Sequence, residues 1–137
     1  MKKIVVVAVL CITAFTFLGF NHPILQTTEW IAPPEADKIK NPLIGDVKSV
    51  DAGKALYTIY CAPCHGEKGK GDGPASTSIK TKPADHSSQK IQKQSDGAIF
   101  WKLTEGRATL EMVSYKLVLS EKERWSLVNY IRTLSVK

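Results

Sequence analysis

The chain has 137 residues and a formal charge of +6, with 43% hydrophobic and 23% charged residues. That size bounds it to one small globular domain with appendages and excludes a multidomain assembly. Its lysines and arginines are mixed with acids throughout and no nucleic-acid motif accompanies them, so the charge reads as a solvated surface rather than a nucleic-acid footprint.

Residues 1–20 read as a targeting segment, because Lys2 and Lys3 precede an uncharged apolar run from Ile4 to Phe20. The chain is therefore expected to leave the cytoplasm. The run is long for a signal peptide, short for a spanning helix and without a clear A-x-A site. Cleavage as a signal peptide and retention as a membrane anchor through residues 4–20 both stay open. If Lys2 and Lys3 are lost, the charge is +4, from 17 basic against 13 acidic residues. Leu10 stands where a lipidated cysteine needs a small neighbour, so Cys11 reads as an apolar filler. Residues 21–48 hold four of the seven prolines, Pro23, Pro33, Pro34 and Pro42, with no sustained periodicity. They read as a Pro-rich linker, with docking of Trp30 and Ile31 on the domain as the alternative.

The folded domain is expected over residues 49–137. Ser49 is the expected cap of a first helix running from Asp51 to Tyr60, with Ala55, Leu56 and Ile59 on its apolar side. Gly53 is costly inside a helix. It points to close approach by another helix, with Tyr57 one turn on beside it.

Directly after this helix comes Cys61-Ala62-Pro63-Cys64-His65, a C-x-x-C-H motif. Its spacing suits covalent attachment of a haem, each thiol bonding one vinyl group and the adjacent imidazole lying under the iron as axial ligand. A thioredoxin-like pair expects a βαβ setting, and a zinc site needs four ligands. Outside the motif only Cys11, His22 and His86 are of the right type. A non-haem thiol protein remains the alternative, and a pyridine haemochrome test separates the two.

The stretch Gly66 to Gly73 has glycine at 66, 69, 71 and 73 but no phosphate-loop pattern and no preceding strand. It reads as a turn around one edge of the haem, closed by Pro74. Residues 80–86 read as a polar connection under the other side of the haem, with His86 a surface loop histidine and the one competing ligand. Ser95 is expected to cap a helix over Asp96–Thr104, burying Ile99, Phe100 and Leu103. Met112 follows in a loop and is the only methionine besides the initiator. Its thioether is a soft, neutral ligand favouring ferrous iron. The box Ser120-Glu121-Lys122-Glu123 starts the last helix at Glu121, with Leu127, Val128, Ile131 and Leu134 as its apolar stripe and Trp125 and Tyr130 adding bulk.

From Gly53 to Leu134 these features resemble, in order, the small monohaem class I cytochromes c. The matching residues are Gly53 and Tyr57, the C-x-x-C-H, Gly66 to Pro74, Met112, and the closing helix with Trp125 and Tyr130. The resemblance implies an all-α fold, three principal helices and loops enclosing one covalent haem c, the first and last helices crossing at Gly53 and Tyr57. It also implies that the Pro74 carbonyl accepts a hydrogen bond from His65, that Met112 is the sixth ligand, and that the haem is attached outside the cytoplasmic membrane. The implied site is Cys61, Cys64, His65, Pro74 and Met112, with His65 and Met112 on the metal.

Iron ligated on both sides by protein has no open position for substrate. No other cluster of acids, histidines or nucleophiles suggests an enzyme. The expectation is a one-electron carrier of an extracytoplasmic respiratory chain, periplasmic and either soluble or tethered. Its expected partners are a redox donor and acceptor, a membrane oxidase or reductase complex among the candidates, and no nucleic acid. Two alternatives remain: a cytochrome subunit fixed in a larger respiratory complex, and a five-coordinate gas-binding haem protein.

Overall fold

The structure is a computed structural model, and it describes residues 29–135. The expected leader or anchor and the first part of the linker lie outside the described residues. Among the described residues no helix is long and apolar enough to cross a membrane, and none forms a strand. A compact unit spans Ile31 to Lys137.

Its helices are α1 (Val47–Tyr60), the short α2 (Ala62–His65) and α3 (Gln89–Gln92), then α4 (Asp96–Glu105) and α5 (Glu121–Thr133). The three long ones are the principal helices, as expected of an all-α fold. Helices α4 and α5 start where their caps predict. Ser95 Oγ accepts from Ala98 N at 3.0 Å, and Ser120 and Glu123 close a reciprocal capping box. Helix α1 starts earlier than expected. Its cap is Asp46, whose carboxylate accepts from the N–H groups of Lys48 and Ser49, while Ser49 lies buried inside the helix.

The buried face of α1 also differs from the expected one. Ala55 is exposed and Ile59 is 65% exposed, whereas Ser49, Gly53 and Tyr57 face inward. The reason is the crossing with α5. A Cβ on Gly53 would strike the Ser126 carbonyl and lie 3.0 Å from Tyr130 Cβ, so the two backbones meet there. Tyr57, only 1% exposed, packs its ring 5.1 Å from that of Tyr130. Leu127, Val128 and Ile131 then fill the centre, as their spacing predicts, and Leu134 packs against its edge. Helix α4 contributes Ile99, Phe100 and Leu103, with the Phe100 ring stacked on Trp125 at 3.9 Å.

Residues 31–46, expected to be linker, are instead fastened to this core. A Cβ on Gly97 of α4 would strike the Ala36 carbonyl, and Ala36 is buried. Asn41 Nδ2 donates to Asp96 at 2.8 Å and to Asn129 at 2.7 Å, while Asn129 donates to the Leu43 carbonyl at 2.8 Å. Asp96 also pairs with Arg132 at 2.7 Å. Polar side chains on α4 and α5 thus hold a segment whose own composition reads as a tether.

Candidate haem-attachment site

Cys61 ends α1 and opens α2. Its N–H donates to the Tyr57 carbonyl, and its own carbonyl accepts from Cys64 N at 3.2 Å and His65 N at 2.8 Å. Cys61 and Cys64 are therefore one helical turn apart, both as free thiols, with Cys61 buried and Cys64 half-buried. Burial pushes the Cys61 thiol up to about 12, with the nearby Cys64 adding to the effect, so it stays protonated. The glycine-rich stretch forms a turn against this segment: Gly71 N donates to the His65 carbonyl at 2.8 Å and Gly73 N to that of Cys64 at 3.1 Å.

His65 Nδ1 lies 2.9 Å from the Ala84 carbonyl. A carbonyl only accepts, so Nδ1 carries the hydrogen and Nε2 keeps its lone pair. Burial lowers the His65 pKa, partly offset by the Ala84 bond, and the imidazole is neutral. The accepting carbonyl is Ala84's, where that of Pro74 was expected. Pro74 opens a 3-10 turn, Pro74–Ser78. The physical cause is Gly71, which has φ +73 and no side chain. A Cβ there would strike the Pro83 carbonyl, so only glycine lets the 83–84 backbone lie against the turn and reach His65.

That same segment corrects the expectation for residues 80–86. His86 is not a surface histidine: it is 9% exposed, its ring stacked on that of His65 with centroids 3.9 Å apart. Ala84 and His86 both serve the His65 side of the site. Burial, and then the neighbouring His65, hold the His86 pKa well below its ordinary value.

Met112 is half-buried and packs against the core cluster that contains Cys61, Tyr115 and Leu119. Its loop is pinned by backbone pairing, with Arg107 N donating to the Met112 carbonyl at 2.7 Å and Met112 N to that of Arg107 at 3.2 Å. Glu111, in the left-handed region at φ 60, makes the reversal. Beyond it, Tyr115 N donates to the Leu103 carbonyl and Tyr115 Oη to that of Tyr60, tying the loop to α4 and α1. Arg124 Nη1 donates to the carbonyls of Lys116 and Leu119 and closes the loop onto α5.

Sequence reasoning missed Ala84 and the pairing of His86 with Tyr57 Oη, 3.0 Å from His86 Nδ1. Neither carries a periodic or motif signal. Pro83 beside Ala84 was the nearest cue, since it stiffens an extended approach.

Two thiols one turn apart beside a neutral imidazole with its Nε2 lone pair available fit a covalently held haem. Among the described residues no group of three or more His, Cys, Asp and Glu is arranged to hold a metal ion by itself. The fold and site define a small helical haem-binding protein. The family model for Cytochrome c matches residues 50–135, most of the chain, and the chain belongs to the cytochrome c family. Membership implies a covalent c-type haem.

Solved structures similar to it include the following two. One is a chain of the Kuenenia stuttgartiensis reducing HAO-like protein complex Kustc0457/Kustc0458, 29% identical with a TM-score of 0.64, the match covering 72% of this chain and 50% of that one. This chain thus spans half the length of that relative. The other is the KustC0563 c-type cytochrome, 26% identical with a TM-score of 0.53, covering 61% of this chain and 98% of that one. No curated protein matches the chain.

Proposed function

We propose that the protein is a one-electron carrier, not an enzyme, with a single haem joined to Cys61 and Cys64 and ligated by His65 Nε2 and Met112 Sδ. The observation that carries this reading is the His65 geometry: the Ala84 carbonyl assigns the hydrogen to Nδ1 and leaves Nε2 as the donor. When bound, the haem supplies a one-electron ferric/ferrous couple. Cys61 and Cys64 hold it at the end of α1, and the paired loop of Arg107 and Met112 carries the thioether. With both His65 and Met112 bound to it, the iron would have no position left for substrate or oxygen. The protein works outside the cytoplasmic membrane, in the periplasm, soluble or tethered through residues 4–20, between a redox donor and an acceptor.

A second reading is a cytochrome fixed in a larger redox complex. It is supported by the likeness to a chain of a multiprotein complex, of which this chain spans half the length.

Absorption spectra of the purified protein, oxidised and reduced, test the site. A low-spin spectrum with the near-infrared sulfur-to-iron band is expected. A high-spin spectrum that shifts with carbon monoxide overturns the closed site in favour of gas binding. Fractionation of the native host decides between carrier and subunit, since a fixed subunit co-purifies with its complex.

A further inference from the structure

The electron-carrier reading uses one histidine of a stacked pair and leaves the other without a role. The His86 ring lies over the His65 ring at 3.9 Å with 20° between their planes. It is clamped from several directions. Tyr57 Oη is 3.0 Å from its Nδ1, the His86 backbone N–H donates to the Gly69 carbonyl at 2.6 Å, and the His86 carbonyl accepts from Gln92 Nε2 at 2.8 Å. Gly69 approaches so closely that a Cβ there would lie 3.0 Å from His86 Cβ.

The two contacts on His65 restrain different motions. The hydrogen bond to Ala84 fixes the direction of the Nδ1–H bond, yet by itself permits the ring to rock about that axis. A flat ring against one face opposes that rocking. We infer that His86, held by Tyr57, is a positioning residue that fixes the rotational setting of the His65 ring. The inference rests on the reading of His65 as an iron ligand. A ligand imidazole's orientation governs its overlap with the iron orbitals, and contacts beyond the ligands are what fix it. His86 thereby contributes a single, defined electronic state of the ferric haem without touching the iron.

The test uses the full-length, haem-loaded protein in its oxidised form and reads proton NMR shifts of the haem methyl groups and the His65 ring, with electron paramagnetic resonance alongside. His86→Ala is expected to change the order and spread of the haem methyl shifts and broaden the resonance envelope. His86→Phe, which restores a flat ring, is expected to recover one sharp pattern. Tyr57→Phe, which removes only the hydroxyl, should produce a smaller change than His86→Ala. If His86→Ala does not take up haem, His86→Leu, which fills the space without a flat ring, is the deciding variant and should behave as stated for alanine. Methyl shifts unchanged in the alanine or leucine variant overturn the inference while His65 ligation stands. His65 ring protons without hyperfine shifts in the parent protein overturn the ligation reading itself, and the inference with it.

Discussion

Gly53 and Ser126 lie backbone to backbone, with the Ser126 carbonyl where a side chain on Gly53 would begin. This contact sets how closely α1 and α5 cross, and so where Tyr57 and Cys61 stand relative to the buried face of α5. Gly53→Ala sets two effects against each other. Helix propensity favours alanine by about 1 kcal/mol, while forcing a methyl into packed backbone costs about 1–3 kcal/mol. Because the obstacle is main chain rather than a flexible side chain, a net loss on the order of 1–2 kcal/mol is expected. Urea denaturation measures it, and a more stable variant would show that the crossing relaxes freely.

Met112→Ala removes the proposed sulfur ligand and leaves the thiols intact. The haem is expected to remain attached through Cys61 and Cys64, the iron to bind carbon monoxide, and the reduction potential to fall. Potentiometry and a carbon monoxide titration check this, and an unchanged spectrum and potential would exclude Met112 as a ligand.

Asn41→Ala breaks the bridge that holds residues 31–46 to α4 and α5. It removes the donor to Asp96 and Asn129 and the acceptor for Leu43 N at 2.9 Å. Leaving part-buried partners unsatisfied is expected to cost about 1–3 kcal/mol. A thermal melt with no shift in midpoint would mean that the segment adds nothing to the domain.

The capping box of α5 predicts a pH dependence. The Ser120 hydroxyl and backbone N–H hold the Glu123 carboxyl below its ordinary value of 4.5. With a folded value below the unfolded one, its contribution is complete above about pH 4.5 and is lost as the pH falls through the lowered folded value. Glu123→Gln should therefore be less stable than the parent at neutral pH, with the difference shrinking in acid. Urea midpoints measured from pH 7 down to about 3 test it. A difference that stays constant over that range would contradict the assignment.

Where the sequence could be read, the signals were local. Ser95 and the Ser120–Glu123 box marked their helices because a cap and its partner lie within one turn. The start of α1 was harder, since Asp46 and Ser49 are both capping types and lie within one turn of each other, and it is the Asp46 carboxylate that takes the first N–H groups. Ala55 and Ile59 looked like core because they are apolar. The face they share lost to that of Gly53 and Tyr57, which alone lets α5 approach.

The sequence by itself determined the three principal helices and the candidate attachment site at Cys61, Cys64 and His65, because both depend on residue types at short, regular spacing. Only the tertiary structure decided which carbonyl meets His65, that His86 lies buried against it, and that residues 31–46 belong to the domain. Those contacts join residues far apart in the chain. The Ala84 carbonyl is chemically like any other, and it became His65's partner only because Gly71 left room for the backbone to pass.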